Sequence, residues 1–497
     1  MLEELILLGV AVIVLITLII NHFSENKNLP PGPFPLPIIG NVHKFAPDSR
    51  HVDFMNMEKQ YGNVFRLYLG SQLVVVISGT AIKEALITKS NEFAGRPCLH
   101  TSKVYSREGK AIVFEDNSLE WKLRHKIVHS AIKLYSSGLL SRLESVVNYE
   151  FDLMFKRMEL NLGEAFDVTR DIRLAVMNVI CALVFGSRYE LYDPEFTKLL
   201  DMLHTMATIV SCGSVVDVFP WLSFIPLKSM QILNEKLDER DELMQRIYQE
   251  HVKANRLDKP QDLTDAMLKA KKEAEEEDSS VTGLITDKDV LLIIGEIFIA
   301  STETTASTLC WALLYLLHNP EVQDKLHEEL DQVVGPDRQP EVKDKKRLPY
   351  MEATITETLR ISSLVPLSIP HKTTIDTTLG GYFIPKGTTV IPNLWSLHHD
   401  SSVWEDPYKF IPERFLDEDG SFLPPRADRF LPFGSGRRVC IGEPLARIEL
   451  FVILARLLHC FKLENPPGCS PPTLEPDVGV ALMPKPFKVC AVKRHFF

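Results

Sequence analysis

The stretch Phe433-Gly434-Ser435-Gly436-Arg437-Arg438-Val439-Cys440-Ile441-Gly442 holds one cysteine among glycines and two arginines. It runs directly into an apolar helical pattern, Leu445-Ala446-Arg447-Ile448-Glu449-Leu450-Phe451, which places Cys440 at a helix N-terminus. Free backbone N–H groups and the positive end of the helix dipole there favour a thiolate over a thiol. Gly434, Gly436 and Gly442 permit a tight turn and the close approach of a flat ligand, because no side chain stands in the way. Arg438 adds a fixed positive fork for a carboxylate, and Phe433 an aromatic lid.

Blander readings compete with a ligand site. A lone cysteine is most often a small buried hydrophobe. A dinucleotide-binding loop needs a preceding strand and a third glycine, and valine occupies position 439. Zinc would draw on Cys440, His459, Cys460 and Cys469, but no C-x-x-C pair is present. Anionic sulfur, close-approach loop and carboxylate clamp together describe a haem-thiolate site. The stretch matches the pattern F-x-x-G-x-R-x-C-x-G at every fixed position and so resembles the cytochrome P450 superfamily, microsomal class. The resemblance implies the cytochrome P450 fold, mainly α with a minor β-sheet region. It also implies haem b with its iron ligated by Cys440, and contacts to the cofactor from Phe433, Gly436, Arg438 and Gly442. The sulfur's electron donation then favours O–O cleavage.

The chain has 497 residues, a formal net charge of −11 and 45 % hydrophobic residues, enough for one large core. No flexible linker divides the body, so one catalytic unit is expected. The acidic balance argues against nucleic-acid binding. Eight cysteines scattered over this length lack the spacing of a disulfide scaffold and fit a reduced, cytosol-facing body.

In chain order, Leu5 to Ile20 is an apolar run of about the minimum length for a bilayer span, preceded by Glu3 and Glu4 and followed by Lys27. It lacks the positive start and small-residue exit of a cleaved signal, so it reads as an uncleaved anchor with the body in the cytosol. Leu29 to Asn41, LPPGPFPLPIIGN, reads as a stiff connector in which prolines fix φ. The expected organisation is a membrane anchor at 1–23, a proline-rich hinge at 24–44 and a single haem-binding catalytic domain at 45–497. Val64 to Leu69 and Leu73 to Ile77 predict a hairpin, and Tyr382 to Ile384 with Thr388 to Ile391 predict further strands around Gly380-Gly381. Almost everything between is helical in pattern. The charged run Lys269 to Asp278 reads as a solvated loop or helix end.

Further residues take their meaning from the resemblance. Trp121 begins WKLRHKIVHS, where the family pattern W-x-x-x-R has His125 in place of arginine, so a permanent charge is lost. Arg124 and Lys126 flank it as compensating cations. Arg96 and His371 match further positions that approach haem propionates. Thr286 and Asp289 resemble a capping box that opens the strongest helix. Within it, Glu296, Ala300 and Thr304 share one face, with Ala300 small enough to let a ligand lie close. Glu303 and Thr304 match the family's catalytic acid–alcohol pair, which delivers protons for oxygen activation. Ile299 and Ser301 stand where similar proteins carry glycine, and branched Ile299 narrows the ligand space. Glu357 and Arg360 form E-x-x-R, and Arg414 in PERF completes a structural triad expected to hold the cysteine side of the site.

The stretches VVDVFPWL, IPHKTT, NLWSLHHD and PERFLDEDG look like those of steroid 17-alpha-hydroxylase/17,20-lyases, with aryl-hydrocarbon hydroxylases as neighbours. A pocket is expected from Val104 to Phe114, Leu199 to Val216, Glu296 to Thr304, Val365 to Ile369 and Val480 to Leu482. Ile299, Ala300, Val365 and Leu482 are its substrate contacts, and its apolar lining favours a flat lipophilic ligand. The implied enzyme is a monooxygenase of the endoplasmic reticulum membrane. It would use O2, with electrons from NADPH-cytochrome P450 reductase and cytochrome b5 as a further donor. Lys122, Arg124, Lys126 and Arg437 are the candidate docking cations. A haem-thiolate isomerase or dehydratase and a non-catalytic haem sensor are the competing classes; the retained Glu303-Thr304 pair speaks against the first.

Overall fold

The computed structural model describes residues 28–46, 48–107, 112–136, 139–210, 214–278 and 283–494. The expected anchor at 1–23 lies outside the described residues. The long helices, in chain order, are α1 (Arg50–Tyr61), α2 (Leu119–Ser136), α3 (Leu139–Glu159), α4 (Val168–Val184), α5 (Pro194–Ile209) and α6 (Lys228–Ala254). They continue with α7 (Leu263–Glu277), α8 (Asp287–His318), α9 (Pro320–Val333), α10 (Pro349–Ser362) and α11 (Glu443–Cys460).

Helix α8 is the axis of the body. Its capping box forms as expected: Thr286 Oγ1 accepts from the Asp289 N–H at 3.2 Å, and Asp289 Oδ2 accepts from the Thr286 N–H at 2.8 Å. Apolar residues surround it on all sides, which demands burial rather than one wetted face. It is long and apolar enough to cross a membrane by composition, yet 67 % of its most apolar window is buried inside the protein. Helices α4, α6, α10 and α11 pack around it. Asn319 ends it, and Pro320 opens α9 at a position where a missing N–H costs nothing.

Strands β1 (Val64–Leu69) and β2 (Gln72–Ile77) form the expected antiparallel hairpin. Two further strands, β4 (His371–Lys372) and β7 (Thr389–Pro392), complete a sheet of order β1-β2-β7-β4, in which β7 lies parallel to β2. Gly380-Gly381 joins β5 (Thr377–Leu379) to β6 (Tyr382–Ile384). The short β3 (Phe166–Asp167) pairs with β11 (Lys488–Lys493), which also pairs with β8 (Phe461–Glu464). A last hairpin joins β9 (Pro476–Val478) to β10 (Leu482–Pro484). The fold is therefore mainly helical with small sheets, and the charged run from Lys269 ends helix α7.

The described part of the proline-rich stretch is fastened to β1. The Arg66 N–H donates to Pro31 O at 2.8 Å, and Asn41 Oδ1 accepts from the Tyr68 N–H at 2.8 Å. A Cβ at Gly32 would stand 2.1 Å from Arg66 O, so only glycine allows this contact.

Candidate active site

The Cys440 loop is built by two constraints. The Cys440 N–H donates to Phe433 O at 3.0 Å, which folds the glycine turn back on itself. Gly434 and Gly436 both have φ of 71°, and a Cβ at Gly436 would stand 1.9 Å from Leu86 O. Gly436 therefore serves close approach to protein backbone as well as turning. Gly442 needs no special backbone angle; a Cβ there would meet Cys440 Sγ at an ordinary 3.8 Å.

Cys440 lies two residues before Gly442, the N-cap of α11, and its side chain is a free, solvent-accessible thiol. The expectation of a thiolate set by the helix N-terminus alone is corrected. Burial of the surrounding loop pushes the thiol up, and the N–H groups of Gly442 and Glu443 pull it down without prevailing. A coordinating metal ion deprotonates a thiol outright, so metal binding would complete what the helix end begins.

Around this loop lie residues expected to meet carboxylates. Arg438 donates to Ala94 O (2.8 Å), Ile112 O (3.2 Å) and Glu115 O (2.7 Å), and its guanidinium lies 3.8 Å from the centre of the Trp121 ring. Five donors with three carbonyl partners leave capacity for an anion. Burial lowers its pKa to about 10, so it stays charged. Arg96 donates to Val113, Ile369 and Pro370 carbonyls and is buried. His371 Nδ1 bonds Phe93 O at 2.7 Å, and burial with Arg96 and Arg438 nearby lowers its pKa to about 3. His125 packs against Trp121 with ring centres 4.9 Å apart; burial, His129 and Arg438 lower its pKa to about 4.

One donor is already engaged here, and one expectation changes. The Trp121 indole N–H donates to Ile112 O at 3.0 Å, so its donor is taken by backbone. Arg124 does not compensate for His125 and is not a surface cation. It is fully buried, and its Nη1 is paired with Glu115 at 2.7 Å. Lys122, Lys126 and Arg437 are exposed.

In the mostly buried helix α8, Ala300 is exposed and Ile297, Ile299, Ser301 and Thr304 are half-buried. Thr304 Oγ1 donates to Ala300 O at 2.6 Å. Glu303 points elsewhere: it is buried, and its Oε1 accepts from Arg173 Nη2 and Ser307 Oγ, each at 3.3 Å. Arg173 on α4 is a partner that sequence reasoning missed, because nothing local to α8 announces it. Glu296, also buried, accepts the Ile112 N–H (2.7 Å) and Val113 N–H (3.3 Å). Burial raises its pKa to about 7.

The E-x-x-R residues close as expected. Glu357 and Arg360 on α10 are joined by two 2.7 Å bonds, and Arg414 Nε reaches Glu357 Oε1 at 3.4 Å. Arg360 also holds the carbonyls of His398 and Pro407, tying α10 to the loop that leads into the cysteine stretch.

A recess is lined by Phe114, Val210, Ile369 and Val480, with Arg96 on its wall. Each of those four lies in a different segment expected to build the pocket. Val365 and Leu482 are not in that lining. Val365 is half-buried, and Leu482 is fixed in the core by Leu364 O and the Trp311 indole N–H.

The first turns of α11 fit a flat cofactor. Ile441, Leu445, Ala446 and Ile448 are half-buried, whereas α11 is buried from Glu449 to Cys460, and they adjoin the accessible sulfur in the chain. Thiol, guanidinium groups and apolar shelf form the donor set of a haem-thiolate protein. The sequence profile of the family described as Cytochrome P450 matches residues 30–491, and the chain belongs to this family of oxidoreductase monooxygenases with cysteine-ligated haem. The chain is 42 % identical over 476 residues to a steroid 17-alpha-hydroxylase/17,20 lyase of Ictalurus punctatus, covering 95 % of this chain and 92 % of the relative. It is 37 % identical to Cytochrome P450 2U1 of Rattus norvegicus, over 94 % of this chain and 91 % of that one. A solved zebra fish cytochrome P450 with progesterone superposes with a TM-score of 0.78 at 37 % identity, covering 89 % of this chain and 99 % of that one.

Proposed function

We propose that this chain is a steroid monooxygenase of the endoplasmic reticulum membrane, of the 17-alpha-hydroxylase/17,20-lyase type. The observation that carries the reading is the 42 % identity to such an enzyme across 95 % of the chain. The recess of Phe114, Val210, Ile369 and Val480 supports the assembly of a pocket from four separate segments of the chain.

In this reading Cys440 ligates the iron, and Arg438, Arg96, His371, Trp121 and His125 surround the propionates, while Phe433, Gly436 and Gly442 shape the loop beside the ring. The bound haem supplies oxygen activation. The chain supplies position and protons. Thr304 holds a proton on Oγ1 at the accessible face of α8, and Glu303 lies one residue away in contact with Arg173. Movement of Glu303 off Arg173 would connect it to solvent and replenish Thr304. Ile299 and Ala300 set the space for substrate, and Val365 and Leu482 are assigned as further substrate contacts. Glu357, Arg360 and Arg414 keep the cysteine loop in place.

Electrons are assigned to NADPH-cytochrome P450 reductase, with cytochrome b5 as a second donor, docking at exposed Lys122, Lys126 and Arg437. Membrane attachment through the anchor is supported by exposed Leu36, Ile38, Trp221, Phe224 and Ile225. A Cβ at Gly70 would touch both Val218 O and Ile38 O, so the two apolar segments lie side by side.

The test is a ligand screen of the haem-loaded protein, with progesterone and polycyclic aromatics in separate arms, followed by product identification with reductase and NADPH. A high-spin shift and hydroxylated product with the steroid alone support the reading. Turnover of only the aromatic arm would replace it with a xenobiotic hydroxylase.

A further inference from the structure

We propose that His251, Asp262 and Asp265 form a structural divalent-cation site, suited to zinc, that braces the end of α6 to the start of α7. The three residues are buried, and one ligand atom from each lies within 4.8 Å of the other two. His251 belongs to the last turn of α6, Asp262 is the N-cap of α7, and Asp265 lies in its first turn.

Counting lone pairs gives the argument. His251 Nδ1 is 2.7 Å from Ile247 O, so Nδ1 carries the proton that this bond requires. Nε2 then faces Asp262 Oδ2 at 2.9 Å, and two lone pairs meet there unless they share a cation. The other oxygens are mostly engaged: Asp262 Oδ1 accepts from the Asp265 N–H, and Asp265 Oδ2 accepts from the Gln261 N–H, each at 2.9 Å. Asp265 Oδ1, by contrast, is buried with no hydrogen-bond partner, in a residue 1 % exposed. Asp265 Oδ1 is thus an uncommitted buried ligand atom, and Nε2 and Asp262 Oδ2 are engaged only with each other.

Charge points the same way. A single shared proton leaves two buried carboxylates and one imidazolium, a net charge of −1. Arg256 stands 3.8 Å from Asp265 Oδ2 and is half exposed, which makes it a weak counterion. A divalent cation with a neutral imidazole makes the cluster neutral. The N-terminus of α7 opposes a cation with about half a charge, against two full carboxylate charges. Nitrogen and carboxylate donors suit zinc, and the Nδ1–carbonyl bond is the outer support that zinc-binding histidines commonly have.

The experiment uses the full-length haem-loaded protein, stripped with chelator and titrated with zinc(II) against a competing chromophoric chelator. Asp265→Asn and His251→Gln serve as variants; Asp265→Asn preserves the oxygen that caps the Gln261 N–H. The expected result is one zinc per haem in the parent protein, a zinc-dependent rise in unfolding temperature, and affinity lowered on the order of 10–100-fold or more in both variants. Turnover is expected to be unchanged in Asp265→Asn. Folded variants that bind zinc as tightly as the parent, or a parent that binds none, overturn the proposal and leave His251 and Asp262 as a proton-sharing pair.

Discussion

Glu357 and Arg360 meet through two parallel bonds of 2.7 Å, Nε to Oε2 and Nη2 to Oε1, and neither side chain is exposed at all. Removing one partner strands the other charge in the core, at a cost of about 3–5 kcal/mol. Arg360 also holds the His398 and Pro407 carbonyls, so the damage would reach the cysteine side of the site. Glu357→Ala is expected to yield protein without bound haem, measured as the ratio of Soret to protein absorbance. A fully haem-loaded variant would refute this role.

Cys440 is expected to be the thiolate that would hold the haem iron. Cys440→Ser should abolish the red-shifted Soret band of the ferrous carbon monoxide complex while folding is retained, as judged by circular dichroism. Persistence of that band in the variant would exclude Cys440.

Thr304→Ala removes the hydroxyl that now donates to Ala300 O at 2.6 Å and stands on the accessible face of α8. Product formed per NADPH consumed should fall by about 100-fold or less, the lower range for one positioned proton donor, while NADPH oxidation continues. Unchanged coupling would remove Thr304 from the proton path.

His125 is held neutral, with a pKa of about 4, beside Arg438 and Trp121. His125→Arg puts a permanent cation where the proposed reading sets the propionates. Haem transfer to apomyoglobin is expected to slow; an unchanged or faster rate would place the carboxylates elsewhere.

Stability should depend on pH in two opposite ways. His371 is lowered from 6.5 to about 3, so its contribution is full above pH 6.5 and is lost as pH falls through the folded value. Glu449, buried in α11 and bonded to Thr305, is raised from 4.5 to about 8. Its contribution is full below pH 4.5 and is lost as pH rises through 8, an effect on the order of a few kcal/mol. Urea midpoints from pH 5 to 9 check this, and Glu449→Gln should flatten the alkaline side.

Much of the site was legible because its chemistry is local in the chain. The glycine turn, the cysteine and the helix start share one short stretch, and the capping box of α8 needs only Thr286 and Asp289. Glu357 and Arg360 are three residues apart, so helix geometry alone brings them together. The role of Arg124 was misread for the opposite reason. A cation in an exposed-looking run is drawn inward by Glu115, which only the packing of the loop before α2 brings near.

The primary structure by itself determined the family, the sulfur ligand and the helical class, since each rests on short-range spacing and residue type. Tertiary packing alone decided that Glu303 pairs with Arg173, that Glu296 holds the Ile112–Val113 backbone, and that His251 meets two aspartates. The first two join residues 130 and 184 positions apart, the third joins the end of α6 to the start of α7, and their geometry is set by which helices the core forces into contact.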